Sequence, residues 1–133
     1  MAKTVLIVDD VAFVRTTLSE ILTRAGYQVV GEASDGAQAI EMYAKLRPTV
    51  VTMDVVMPAM SGIDATRKLC KLDKEAKIII VSAMGQENLV MEAINAGARD
   101  YVLKPFRADD ILKTIARVAE TAGDTARPAA KSP

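Results

Sequence analysis

The stretch Thr4-Val5-Leu6-Ile7-Val8-Asp9-Asp10, residues 4–10, decides the fold class. Val5 to Val8 form an unbroken apolar run that ends abruptly in two carboxylates. A short run of this kind, without polar alternation, reads as a strand buried on both faces, as in parallel sheets. Outward from it, Val11, Val14, Leu18, Ile21, Leu22 and Ala25 recur at helical spacing, and Gly26 supplies a stop signal. The first 26 residues therefore read as one strand and one crossover helix.

The pattern repeats along the chain. Further strands are expected at Tyr27–Ala33, Thr49–Met53, Lys77–Ser82 and Asp100–Leu103. Helical spacing follows each: Ala37, Ile40, Tyr43 and Ala44; Ile63, Thr66, Leu69 and Cys70; Leu89, Val90, Ala93, Ile94 and Ala96; Ile111, Leu112, Ile115, Val118 and Ala119. Ser34-Asp35-Gly36 reads as a turn and cap, Arg47-Pro48 ends the second helix, and Gly97 stops the fourth. Strand starts are spaced by 23, 22, 28 and 23 residues, with no sequence repeat that would indicate a solenoid. Such alternation predicts an α/β, flavodoxin-like, doubly wound five-stranded parallel sheet of order 2-1-3-4-5, with helices on both faces. The domain is expected over 1–122, and the aperiodic 123–133 (GDTARPAAKSP) reads as a flexible tail or linker remnant.

Composition narrows the chemistry. The 133 residues carry 17 Lys+Arg and 17 Asp+Glu, so no net field draws nucleic acid or an anionic membrane. The length suits one domain with its own core. No histidine is present, which excludes a serine triad, His-ligated zinc and imidazole acid–base catalysis. The single cysteine, Cys70, cannot form an internal disulfide and fits a reducing, cytoplasmic setting. Neither a signal segment nor an apolar run long enough to span a bilayer occurs. Neither GxGxxG nor GxxxxGK[ST] occurs, so those nucleotide routes are closed.

Five polar residues fall at the carboxyl ends of the expected strands: Asp9 and Asp10 after the first, Asp54 after the third, Ser82 on the fourth and Lys104 after the fifth. In a doubly wound sheet that edge is where ligands bind. Each residue has an ordinary alternative: taken singly, Asp10 reads as a helix cap, Ser82 as an N-cap of the fourth helix and Lys104 as surface charge. Their convergence on one edge argues for more. Three adjacent carboxylates repel, and an oxygen-bound divalent cation, Mg²⁺ above all and Mn²⁺ as an alternative, would offset that repulsion. Lys104 suits a phosphate, Ser82 can donate to one, and a carboxylate can serve as nucleophile. Together they read as phosphoryl transfer onto an aspartate.

Leu6-Ile7-Val8-Asp9-Asp10, Met53-Asp54-Val55-Val56-Met57-Pro58 with Gly62, Val81-Ser82-Ala83 and Lys104-Pro105-Phe106 together resemble the receiver domain of bacterial two-component response regulators. The likeness covers about residues 3 to 121 and is greatest to the single-domain chemotaxis regulators. It implies that Asp54 accepts the phosphoryl group. It also implies that Asp9, Asp10, Asp54 and the Val56 backbone carbonyl bind the metal, and that Ser82, Ala83 and Lys104 contact the phosphoryl group. Ser82 and Tyr101 would be the switch pair, and Lys104-Pro105 a cis peptide. The implied partners are a histidine kinase and an output protein on the helix 4–strand 5–helix 5 face, possibly the flagellar motor switch. Val56 and Met84 stand where the family tunes acyl-phosphate lifetime; both are apolar, so a long-lived phosphorylated state is expected.

Three rivals remain at this level: a receiver excised from a multidomain, for example DNA-binding, regulator; an aspartate-nucleophile phosphatase of the haloacid dehalogenase type, which lacks its second Asp because that position is Val56; and a phosphorylation-dead receiver. The chain is expected to be a monomer and a switch rather than an enzyme. Met53 and Phe106 are expected in the core, Cys70 buried, and Met57, Met60, Met84 and Met91 in loops.

Overall fold

The computed structural model describes residues 3–120. The strands are β1 (Thr4–Val8), β2 (Gln28–Ala33), β3 (Val50–Asp54), β4 (Ile78–Ala83) and β5 (Asp100–Lys104). The helices are α1 (Ala12–Arg24), α2 (Gly36–Leu46), α3 (Gly62–Leu72), α4 (Glu87–Ala96) and α5 (Ala108–Ala119). All strand pairs are parallel, and their order is β2-β1-β3-β4-β5, as expected from the sequence. The expected 123–133 tail lies outside the described residues.

Sheet alternation divides the core into two layers. Leu6, Val8, Val51, Met53, Ile78 and Ile80 pack with α2, α3 and α4 residues such as Ala39, Leu69 and Ala93. Val5, Ile7, Val50, Ile79, Val81 and Val102 pack with Leu18, Leu22, Ile111 and Ile115 of α1 and α5. Met53 is core, as expected. Met57 is also buried, because the loop after β3 folds back over the α3 side, and Met91 lies exposed on α4 rather than in a loop. Phe106 is only half-buried, at the border of the α1–α5 layer, and Cys70 is half-buried against the other.

Local capping sets where the helices begin. Asp35 accepts the Gln38 N–H at 2.8 Å and Ser61 the Asp64 N–H at 3.2 Å, the two side-chain caps that start α2 and α3.

Thr52 and Thr66 are fully buried threonines whose hydroxyls find no hydrogen-bond partner among the described residues, and Thr52 sits in the sheet itself. It lies on β3 between Ile7 and Ile79. A buried hydroxyl without a partner is destabilising. Replacing Thr52 by Val, its near-isostere, is expected to raise stability by about 1 kcal/mol. A urea midpoint equal to or below that of the native protein would show that the hydroxyl is satisfied in solution.

Candidate functional site: an acidic pocket at the carboxyl edge of the sheet

Strand register builds the pocket. Val8 pairs with Met53, Asp54 with Val81, and Ala83 with Lys104, so the carboxyl ends of β1, β3, β4 and β5 lie side by side. Asp9, Asp54 and Lys104 share the alternation phase of Ile7, Thr52 and Val102, which places all three on the α1–α5 side. Carboxylate oxygens of Asp9, Asp10 and Asp54 lie within 4.8 Å of one another. Asp9 and Asp54 are buried, at 1% and 6% exposure, whereas Asp10 is exposed.

Lys104 holds the group together. Its Nζ donates to Asp9 Oδ2 at 3.0 Å and lies 3.8 Å from Asp54 Oδ1. One ammonium against three carboxylates leaves the pocket short of positive charge. Burial, then the neighbouring Asp9 charge, push the Asp54 carboxyl up to about 7, while Lys104 pulls the other way. That imbalance, with oxygen donors only, fits a hard divalent cation such as Mg²⁺. The expected donor carboxylates are therefore brought together.

The other expected positions divide. Asp10 does not cap α1, whose N-cap position is Val11 and has no side-chain cap. Asp9 instead forms a local turn before the helix, its Oδ1 accepting the Val11 N–H at 2.9 Å. Ser82 does not cap α4 either. It is buried, and its hydroxyl donates to Gln86 Oε1 at 2.7 Å; the same oxygen accepts the Ala83 N–H at 2.8 Å. Gln86, the N-cap position of α4, was not singled out from the sequence; its spacing of four from Ser82 was the available signal. Val56 and Met84 project from the rim, at 51% and 72% exposure. Tyr101, 46% exposed on β5, lines a groove of about 170 Å³ with Glu87, Val90, Met91 and Leu103. The Lys104-Pro105 peptide is cis, as the resemblance implied.

Gly62 packs against the backbone of Asp54 and Val55. Its N–H donates to the Val55 carbonyl at 2.9 Å, and a Cβ built there would lie 2.0 Å from the Asp54 carbonyl oxygen. The glycine thus lets the start of α3 press against the end of β3.

Among the described residues no helix is long and apolar enough to cross a membrane. Residues 5–116 match the model of the response regulator receiver domain. The chain is 51% identical over 120 residues to the chemotaxis protein CheY of Thermotoga maritima, covering 90% of this chain and 100% of that one. It is 50% identical to CheY of Bacillus subtilis over 115 residues, 86% of this chain and 96% of that one. Among solved structures it is similar to a chain of the CheX–CheY–BeF3–Mg²⁺ complex from Borrelia burgdorferi, with TM-score 0.85, 33% identity and 90% of each chain covered. It is also similar to the response regulator domain of Thermotoga maritima CheB, with TM-score 0.84, 33% identity and coverage of 92% and 99%. Domains of this kind are signalling switches of two-component systems. Fold, pocket and sequence agree: this chain belongs to the response regulator receiver domain family and is close to CheY.

Proposed function

We propose that the chain is a phosphorylation-dependent switch in which Asp54 accepts a phosphoryl group from a histidine kinase with Mg²⁺ bound. The convergence of Asp9, Asp10 and Asp54 beside Lys104 carries this reading. Asp9, Asp10, Asp54 and the Val56 carbonyl would hold the cation, which would offset negative charge on the carboxylates and the incoming phosphoryl group. Asp54 carboxylate is the nucleophile: its oxygen forms the new bond to phosphorus as the bond to the donor breaks. Lys104 supplies a second positive charge. The Borrelia relative crystallised in a complex with BeF3 and Mg²⁺, which supports the metal reading.

Ser82 and the Ala83 N–H are the further donors to the phosphoryl oxygens. Both are held by Gln86 Oε1, so a phosphoryl group competes with Gln86 for them. Release of that contact would free the β4–α4 turn, and Tyr101 would respond on the α4–β5–α5 face, where the output protein binds. Similarity to CheY favours chemotaxis signalling in the cytoplasm, with the flagellar motor switch as output.

Intact mass after incubation with acetyl phosphate tests the reading. The native protein should gain one phosphoryl group that requires Mg²⁺, and Asp54→Asn should gain none. No gain by the native protein, under conditions that modify another receiver, would overturn it.

The exposed Val56 and Met84 side chains cannot orient an attacking water. Val56→Asn with Met84→Glu is expected to speed loss of the phosphoryl group about tenfold, below the roughly 10²–10⁴-fold of a positioned proton-transfer group because orienting a water is worth less than moving its proton. An unchanged decay rate, followed by mass after the donor is removed, would show that these positions do not set the lifetime.

A further inference from the structure

Arg15 lies one turn into α1, and neither the fold nor the acid pocket accounts for its contacts. Its Nη1 donates to the Asp9 backbone carbonyl at 2.7 Å, and its Nε donates to Glu32 Oε1 on β2 at 3.2 Å. Its side chain is only 20% exposed. The guanidinium fork thus ties three elements: α1, β2 and the turn after β1.

The carbonyl it holds belongs to the peptide that joins Asp9 to Asp10. That peptide is planar, so fixing its oxygen fixes the plane from which the Asp10 side chain departs. The rest of Asp9 is pinned already: its N–H donates to the Ala33 carbonyl at 3.0 Å, Oδ1 accepts from Val11, and Oδ2 accepts from Lys104. Arg15 supplies the one remaining hold, with a charge-assisted bond. Glu32 anchors the fork and offsets its charge.

We propose that Arg15 is a positioning residue for the metal-binding turn: it fixes the Asp9–Asp10 peptide so that both carboxylates face the cation. This rests on the Mg²⁺ reading above. Mg²⁺ demands near-ideal octahedral geometry, so a loosened donor turn weakens binding. The sign of the effect separates positioning from charge. A guanidinium beside the pocket repels a divalent cation, so its removal by charge alone would tighten binding; loss of positioning weakens it.

The test is calorimetric titration with Mg²⁺ alone, on the native protein, Arg15→Ala and Arg15→Lys. Arg15→Ala is expected to bind about tenfold more weakly, the range seen when partners that orient metal ligands are lost. Arg15→Lys keeps the charge but lacks the two-point fork, and should fall between the two. In acetyl phosphate labelling, the Mg²⁺ concentration for half-maximal rate should shift likewise, with the rate at saturating Mg²⁺ unchanged. Urea midpoints in EDTA show whether each variant is folded, and Arg15→Lys carries the test if Arg15→Ala is not. Equal or tighter Mg²⁺ binding by a folded variant would overturn the role of Arg15 alone. Absence of Mg²⁺ binding by the native protein would overturn the metal reading, and this role with it.

Discussion

Gly62→Ala should cost about 3 kcal/mol of stability or more and remove most phosphorylation at Asp54. The added methyl would meet the Asp54 carbonyl oxygen at 2.0 Å, the Asp54 carbonyl carbon at 2.9 Å and Val55 Cα at 2.9 Å. All three are backbone atoms. Relief must come from moving β3 or α3, and β3 is fully buried and paired on both sides. Overpacking against groups that can rotate away costs about 1–3 kcal/mol, so a clash with fixed backbone belongs at or above the top of that range. Asp54 is the residue pushed, so the proposed acceptor carboxylate moves with the strain. Gly36→Ala is the natural control. A Cβ there would meet Met60 side-chain atoms at 2.9 Å, and that flexible side chain can shift. Its loss should stay below about 1.5 kcal/mol. Urea unfolding with intact-mass labelling reads both effects. Equal midpoints for the two variants would mean that the α3 start yields easily, and that the close approach does not hold the pocket in shape.

What the sequence disclosed, and what it did not, follows from the range of each interaction. Alternating strand and helix patterns are local signals, and they found all ten elements, with the strand ends placed to within a residue. Strand ends are equally local, which is why Asp9, Asp54, Ser82 and Lys104 could be placed on one edge before any contact was known. Whether they touch depends on register, which no local pattern specifies: Lys104 reaches Asp9 across 95 residues. The roles of Arg15 and Gln86 stayed hidden for a related reason. An arginine on a polar helix face looks solvated until β2 brings Glu32 alongside, and a glutamine at a helix start looks like an ordinary cap until its side chain turns back to Ser82. Asp10 and Asp9 show the converse. The adjacent carboxylates look interchangeable, yet the turn buries the first and leaves the second exposed. Gly62 belongs to the Asp54 motif, but only the packed structure shows what a side chain there would strike.

Without a divalent cation, the protein is expected to lose stability as pH rises from about 4 to about 7, and Asp54→Asn to remove that loss. The sign follows from proton binding. In the unfolded chain Asp54 titrates near 3.8, whereas in the folded chain burial and the Asp9 charge raise it to about 7. Between those values the folded state keeps a proton that the unfolded state has released, so raising pH favours unfolding. Below about 4 both states are protonated at this residue, and above about 7 both are ionised, so the contribution levels off at either end. Other carboxylates overlay their own dependence, Asp73 in the opposite sense, since its pKa is lowered by the Glu75 N–H, Tyr43 and Arg47 against the effect of burial. The informative quantity is therefore the difference between Asp54→Asn and the native protein, measured by urea unfolding in EDTA across this range. That difference should grow from near zero at pH 4 to the order of 4 kcal/mol at pH 7 and then level off. Excess Mg²⁺ should shrink or reverse it, because a cation bound by the three carboxylates stabilises the native fold and has less to hold in the variant. A difference that is flat with pH in EDTA would mean that Lys104 alone balances the pocket. In that case charge deficiency would no longer argue for a metal at this site.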